Sequence, residues 1–303
     1  MQMEHKNIPV GQEPVERQTG AKLRAILRET RRWPIAQFTV IGLFFIFAVF
    51  GQWLAPHPFD AQNLRGRFLP PFWLEGGNID FILGTDNLGR DMLSRIIVGA
   101  HASFIVALAA LAFGSVLGSL IGLASGYLGG RFDAIVMRIA DGMMAFPLIL
   151  AALLLVAVIG PGIHTVVVAA SLILWARFAR LIRSEVLSVR ERDYVKLALV
   201  AGASRWRIML VHILPNVLNS VVVLLTLQLG FVIIVEATLS FLGAGVPPPT
   251  PTWGQMVAAG RTYIETAWWI SLFPGLAIAA VVLAFNLLGD WLRDHLDPKL
   301  RQL

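Results

Sequence analysis

Residues 102–125 read ASFIVALAALAFGSVLGSLIGLAS. The run holds no charged side chain and is long enough, as a helix, to cross the hydrocarbon core of a bilayer, which takes about 20 mostly apolar residues. Comparable runs lie outward from it near 36–55, 134–160, 163–182, 216–240 and 270–289, which makes six. The run at 134–160 is the least uniform, because Arg138 and Asp141 lie in its first turns. Three residues apart, they share a helix face and could pair; with Glu236 they are candidates for a solute pathway or for helix packing. Gly160-Pro161-Gly162 separates it from the next run by a tight turn. The expected fold is therefore all-α, a polytopic membrane protein with six transmembrane helices.

Composition agrees. Of 303 residues 56% are hydrophobic and only 15% charged, and the mean hydropathy is +0.70; a soluble domain carries roughly 25% charged residues. Cysteine is absent, which excludes disulfides, thiol catalysis and thiolate metal sites. Residues 1–35 are polar and basic and precede a long apolar run, unlike a cleavable signal peptide with its short apolar core.

Basic residues set the orientation, since Lys and Arg concentrate on the cytoplasmic side of a membrane. Of the 25 Lys and Arg, 20 fall on 1–35, 126–142, 176–214 and 290–303, and 5 on 55–97 and 242–268. The expectation is a cytoplasmic N-terminal tail (1–35), a first transmembrane helix (36–55), an external segment (56–97), a main transmembrane region (98–290) and a cytoplasmic tail (291–303). The external segment is too short for an independent domain. The second external stretch carries PPPTPTWG (247–254), whose prolines oppose helix and central strand, and is read as a rigid loop.

Three further features stand out. Gly114, Gly118, Gly122, Gly126 and Gly130 recur every fourth residue and form a flat stripe on a helix, of the kind that lets membrane helices approach closely. Packing inside the fold is the plainer reading; a dimerisation face is the sharper one. Glu236, in IIVEATLSF near the outer end of the fifth run, is an ionisable residue within a span, which points to a solute pathway or a polar tie between helices; the tie is preferred. Finally, LALVAGASRWRIMLVHILPN (197–216) interrupts apolar residues with Arg205, Trp206, Arg207 and His212.

Within 184–214 a helix is expected over 184–201, with Ser184 as a cap. Gly202 ends it, being tolerant of the left-handed conformation that closes helices, and any side chain there is expected to clash in the turn. Ser204 caps a second helix whose apolar positions are Trp206, Met209, Leu210 and Ile213. Pro215 begins the next span, where a missing amide costs little. Such a hairpin either lies on the membrane surface or seats in a groove of a cytoplasmic partner.

Chemistry is otherwise sparse. There is no GxxxxGK[ST] loop, no HExxH and no GxSxG, and histidines 5, 57, 101, 164, 212 and 295 show no ligand spacing. No catalytic residue, metal or cofactor is expected, and the positive-inside pattern accounts for the basic residues without nucleic acid. A secondary transporter would show inverted repeats with broken helices, and a membrane enzyme a convergent catalytic set; neither is visible.

AGASRWRIMLVHILPN resembles the EAA loop of ABC importer permeases: Glu-Ala-Ala, three residues, Gly, and a stretch ending in Leu-Pro. Ala198, Gly202, Leu214 and Pro215 match, with Ala203, Ser204 and Trp206 between them; Lys196 and Leu197 stand where the family has Glu and the first Ala. LGTDNLGRDMLSRIIVGAHAS (83–103), RIADGMMAFPLI (138–149), ATLSFLGAGVPPPTPTWGQMV (237–257) and FNLLGDWLRDHLDPKLR (285–301) are similar to stretches of dipeptide/oligopeptide/nickel-type permeases, specifically the second of the two paired subunits. The resemblance covers about residues 36–301. It implies a type I ABC importer transmembrane domain of five core helices behind one peripheral helix. It further implies a bacterial inner-membrane location, a homologous second permease, two ABC ATPases that hydrolyse the ATP, and an extracytoplasmic solute-binding protein. Peptides are the implied cargo; close relatives carry nickel chelates, opines, glutathione and some sugars.

Overall fold

The computed structural model describes residues 34–296. The expected tails at 1–35 and 291–303 fall almost wholly or in part outside the described residues. Among those described there are nine α-helices, a single 3-10 turn (Leu64–Gly66) and no strand. They are α1 (Ile35–Leu54), α2 (Met92–Leu128), α3 (Gly130–Ala145), α4 (Leu148–Ile159), α5 (Ile163–Arg190), α6 (Asp193–Val200), α7 (Arg205–Phe241), α8 (Trp253–Arg261) and α9 (Trp269–Leu296). Five of them (α1, α2, α5, α7 and α9) are long and apolar enough to cross a membrane; α3 and α4 together make a sixth candidate span, bent by 89°.

That bend corrects the expectation of one continuous helix over 134–160. Pro147 lies in the break between α3 and α4. Proline has no N–H for the helix ladder, and it pushes the residue before it, Phe146, out of helical conformation; Phe146 has an extended backbone with φ −81° and ψ 132°.

α2 and α5 make the most extensive pairing in the bundle. α2 starts where the Asp91 side chain accepts from the Ser94 amide at 2.8 Å, and ends at Gly129, whose φ is +65°. Four glycines of the stripe face α5 at backbone distance. A Cβ at Gly114 would lie 2.5 Å from Leu174 Cβ, at Gly118 2.4 Å from the Trp175 carbonyl oxygen, at Gly122 2.5 Å from that of Ala179, and at Gly126 2.8 Å from Val186 Cβ. The stripe is thus covered by the chain's own helix. Gly130 does not belong to it: the chain turns at Gly129-Gly130, both with positive φ, and a Cβ on Gly130 would meet nothing within 4 Å.

α5 runs on to Arg190, so Ser184 is mid-helix and caps nothing; the break falls at Glu191-Arg192. Pro215 does not open a new helix either. α7 is continuous from Arg205, with a widened turn at Ile208–Ile213 in which the Leu214 amide reaches back to the Met209 carbonyl. A π-type turn shifts the carbonyls that a proline ring would otherwise strike. The stretch 242–268 is not simply a loop: once its prolines are passed, Thr252 accepts from the Gln255 amide at 3.3 Å and starts α8.

Residues 55–91 close over the N-terminal end of α2. Thr85 Oγ1 donates to the Gly66 carbonyl (2.6 Å) and accepts from the Leu69 amide (2.9 Å). Asp86 accepts from the amides of Leu88 (2.8 Å) and Arg90 (3.0 Å) and from Arg90 Nε (2.7 Å). Trp269 Nε1, at the start of α9, donates to the Thr85 carbonyl at 3.0 Å, which ties this loop to a second helix end.

Candidate functional site

The hairpin between α5 and α7 is built from two complementary caps. α6 closes with the Gly202 amide on the Leu199 carbonyl (3.0 Å) and the Ala203 amide on the Ala198 carbonyl (3.0 Å). Gly202, at φ +80°, supplies the left-handed residue. This is the two-bond closure known as the Schellman motif, with a glycine at the position that favours one. Ser204 then accepts from the Arg207 amide and starts α7. Ala198 and Ala203 therefore sit on either side of one turn, half-buried.

Beneath the hairpin lie Val195, Ile208, Met209 and Ile213, all buried. This corrects the expected apolar face: Trp206 and Leu210 are exposed, at 71% and 48%, and Ile208 takes the inward place. Leu197, Leu199 and Val200 are also exposed. Around them stand Arg192, Lys196, Arg205 and Arg207, all exposed. An exposed apolar cluster with a polar rim marks an interaction surface. Lys196, in the place of the family's Glu, pairs with Glu191 at 3.3 Å. Its ammonium, with Arg190 second, holds the Glu191 carboxyl below its ordinary range. Around the Gly202 Cβ position there is nothing within 4 Å, so the expected clash does not occur; backbone handedness alone favours glycine there.

In the spans, Glu236 is completely buried and ties α7 to α2. Ser103 Oγ donates to Glu236 Oε2 at 2.6 Å and Ser240 Oγ to Oε1 at 2.7 Å. Leu214 and Pro215 lie at the join of the widened turn, where Asn216 Nδ2 donates to the His212 carbonyl at 2.8 Å. Arg138 and Asp141 do not pair. Asp141 binds Arg180 of α5 instead, and Arg138 has no ion pair among the described residues. Arg183 and Asp133 form a bidentate pair at 2.5 and 2.6 Å. ARFARLIR (176–183) lies on α5 and not beyond the span, which brings its arginines against α3 and α7. Arginines three apart at the end of an apolar run were the available signal. No cluster suited to a metal occurs among the described residues.

These features together define a polytopic membrane protein with a helix–turn–helix surface at one end. Residues 114–302 match the family described as the binding-protein-dependent transport system inner membrane component, and residues 35–71 match the N-terminal transmembrane domain of oligopeptide transport permease C. The chain is 44% identical over 254 residues to the di/tripeptide transport system permease protein DppC of Pseudomonas aeruginosa, covering 84% of each chain. It is 44% identical over 266 residues to the dipeptide transport system permease protein DppC of Escherichia coli, covering 88% of each. Against the probable D,D-dipeptide transport system permease protein DdpC of Escherichia coli the identity is 40%, covering 92% of each. Among solved structures the fold is similar to the MetNI methionine ABC transporter in inward-facing conformations (TM-score 0.51, 17% identity, 67% of this chain and 96% of that one). It is similar also to an amino acid ABC transporter with histidines (TM-score 0.50, 17% identity, 69% and 94%). The chain belongs to the binding-protein-dependent transport permeases: it is a membrane-spanning permease subunit of an ABC importer.

Proposed function

We propose that this permease forms half of a translocation path for peptides and pairs with a homologous permease. One of two ATPases engages the α6–α7 hairpin, and a solute-binding protein delivers cargo at the opposite end. The observation that carries the coupling role is the hairpin itself: Leu197, Val200 and Trp206 are exposed around a turn fixed by Gly202, although nothing within the chain needs them there. Movement of an ATPase against this surface passes directly into α7, because the second arm of the hairpin and the span are one continuous helix. The two permeases then switch between discrete packings, as packed cores do. The cargo class rests on the 44% identity to di/tripeptide and dipeptide permeases. The basic-residue pattern supports cytoplasmic hairpin and termini.

The test is reconstitution of the four-protein complex in vesicles with its binding protein. ATP-dependent accumulation of a dipeptide is expected, and its absence in an assembled, ATP-hydrolysing complex would remove the cargo assignment. Because cysteine is absent, Gln62→Cys and Arg205→Cys give a direct orientation check. An impermeant thiol reagent applied to intact cells should label the first and not the second, and the reverse pattern would invert the topology.

A further inference from the structure

α5 carries Arg177, Arg180 and Arg183 at three-residue intervals. Two of these arginines have a carboxylate supplied by α3: Arg183 binds Asp133 through two hydrogen bonds, and Arg180 binds Asp141. Arg177 differs. Its Nη1 donates to the side-chain oxygen of Gln228 on α7 at 3.0 Å, and its guanidinium lies 4.0 Å from the centre of the Phe231 ring. Among the described residues no carboxylate pairs with it. At 1.5 Å per residue Arg177 stands about 21 Å along α5, well inside a span, with Arg180 and Arg183 successively closer to the hairpin.

A charged residue at this depth does not face lipid; it lines a path or meets another subunit. The side chains of Arg180 and Asp141 are 53% and 48% exposed in the single chain, so this face of α3 and α5 borders water or protein in the complex. Arg177, half-buried, lies about one turn further into the membrane and is turned toward α7. Its two contacts orient the guanidinium without neutralising it: an amide oxygen and a ring face are both uncharged. The other N–H groups of Arg177 make no hydrogen bond among the described residues. A guanidinium held in this way offers the planar pair of donors that matches a carboxylate.

We propose that Arg177, oriented by Gln228 and Phe231, is a carboxylate-binding residue of the translocation path, and that the carboxylate of the passing solute is its transient counter-charge. On the cargo reading above, on which this inference rests, that group is the C-terminal carboxylate of a peptide. The two arginines nearer the hairpin are already occupied by Asp133 and Asp141. Along α5 the solute therefore meets one unneutralised arginine and then two that are already paired, which suits a path that has to release what it binds.

The test uses the whole importer in vesicles with its binding protein and two probes, alanyl-alanine and its C-terminal amide. In Arg177→Gln the maximal rate for the free acid is expected to fall about tenfold. The half-saturating concentration, set by the binding protein, should not change, and neither should any measurable rate for the amide. Arg177→Lys should recover most of the loss. Free-acid uptake at the wild-type rate in Arg177→Gln overturns the proposal, as does an equal loss for acid and amide, which is the mark of a structural role. Failure of the wild-type complex to carry either probe would remove the peptide reading and leave this inference to a second measurement. Gln228→Glu places a carboxylate within reach of Arg177 and is expected to raise the Tm of the purified complex by several degrees. An unchanged or lower Tm would mean that the partner permease already neutralises Arg177, and the proposal would be overturned.

Discussion

Gly89 and Gly202 both occupy turns at helix ends, with φ of +72° and +80°, and their surroundings differ completely. A Cβ at Gly89 would lie 1.8 Å from the Asn63 carbonyl oxygen; at Gly202 it would meet nothing within 4 Å. The immediate neighbours of the two turns, one at each end of the bundle, differ as well. Around Gly89, polar residues are buried and held by the chain: Thr85, Asp86 and Asp91 are all below 5% exposed, with Thr85 and Asp86 bonded to the loop backbone and Asp91 Oδ2 to Ser94. Around Gly202 it is apolar residues that are exposed, Val200 at 85% and Trp206 at 71%. The loop also exposes Leu64 and Ile79, so the contrast belongs to the two turns: the one at Gly89 is packed against its own chain, whereas the one at Gly202 has a closed backbone and open surroundings. A substitution at the first should therefore be read in folding, and one at the second in assembly.

The sharpest way to break this contrast is to give both glycines a methyl group. Gly89→Ala forces backbone against backbone in a left-handed turn. Overpacking costs about 1–3 kcal/mol or more and the conformation another 1–2 kcal/mol, so recovery of folded permease in detergent should collapse. Gly202→Ala carries only the conformational part and should be recovered nearly as wild type. Equal recovery of the two would mean that the loop end is not fixed by close packing.

Next in size is Glu236, which separates a buried carboxyl from the polar network at the loop surface. Glu236→Leu removes the acceptor for Ser103 and Ser240, and unpaired buried hydroxyls cost about 1–3 kcal/mol each, part of which a turn toward helix carbonyls recovers. A drop of several degrees in Tm is expected. Glu236→Gln keeps one acceptor oxygen and should lose no more than about a third of that. If the two variants melt together, the Ser103–Glu236–Ser240 tie contributes nothing measurable.

The difference between the ends also explains what could be read in advance. The spans were legible because a bilayer demands length and apolarity, which are local properties. The left-handed turn at Gly202 and the cap at Ser204 were legible because each depends on a few adjacent residues. The break at Pro147 was not, since the apolar run continues on both sides of it and hydropathy carries no record of direction. Ser103 lies 133 residues from Glu236, and Asp141 finds its partner 39 residues away at Arg180; contacts at that separation are properties of the packed bundle. Gly130 was misplaced on the stripe because a four-residue period persists in sequence after Gly129 has turned the chain.

A third test takes the contrast to the hairpin surface. Gly202→Asp adds charge and bulk where the space is open, and aspartate tolerates the left-handed region better than most residues. Membrane insertion, Tm within a few degrees of wild type and pairing with the second permease are expected, with ATPase co-purification reduced by tenfold or more and uptake lost in proportion. Wild-type uptake would show that the tip does not face the ATPase.

Trp206→Ala should have the smallest effect on folding and discriminates best between the two uses of an exposed aromatic. The indole touches little of the chain, so truncation should leave Tm within about one degree, given that surface substitutions are usually worth less than about 0.5 kcal/mol. If the side chain seats in an ATPase groove, loss of a large apolar contact should weaken association on the order of tenfold, or about 1.4 kcal/mol; buried tryptophans commonly contribute at least this much to an interface. If instead the hairpin lies at the bilayer surface, Trp206 is an interfacial anchor of the kind membrane proteins use. Co-purification of the ATPases would then be unchanged, Trp206→Phe would behave as wild type, and brominated-lipid quenching of Trp206, read as the difference between wild type and Trp206→Phe, would be strong. Quenching that is weak in the free permease and insensitive to ATPase addition, together with undiminished co-purification, contradicts both uses and would leave the open surface at the hairpin end without a partner.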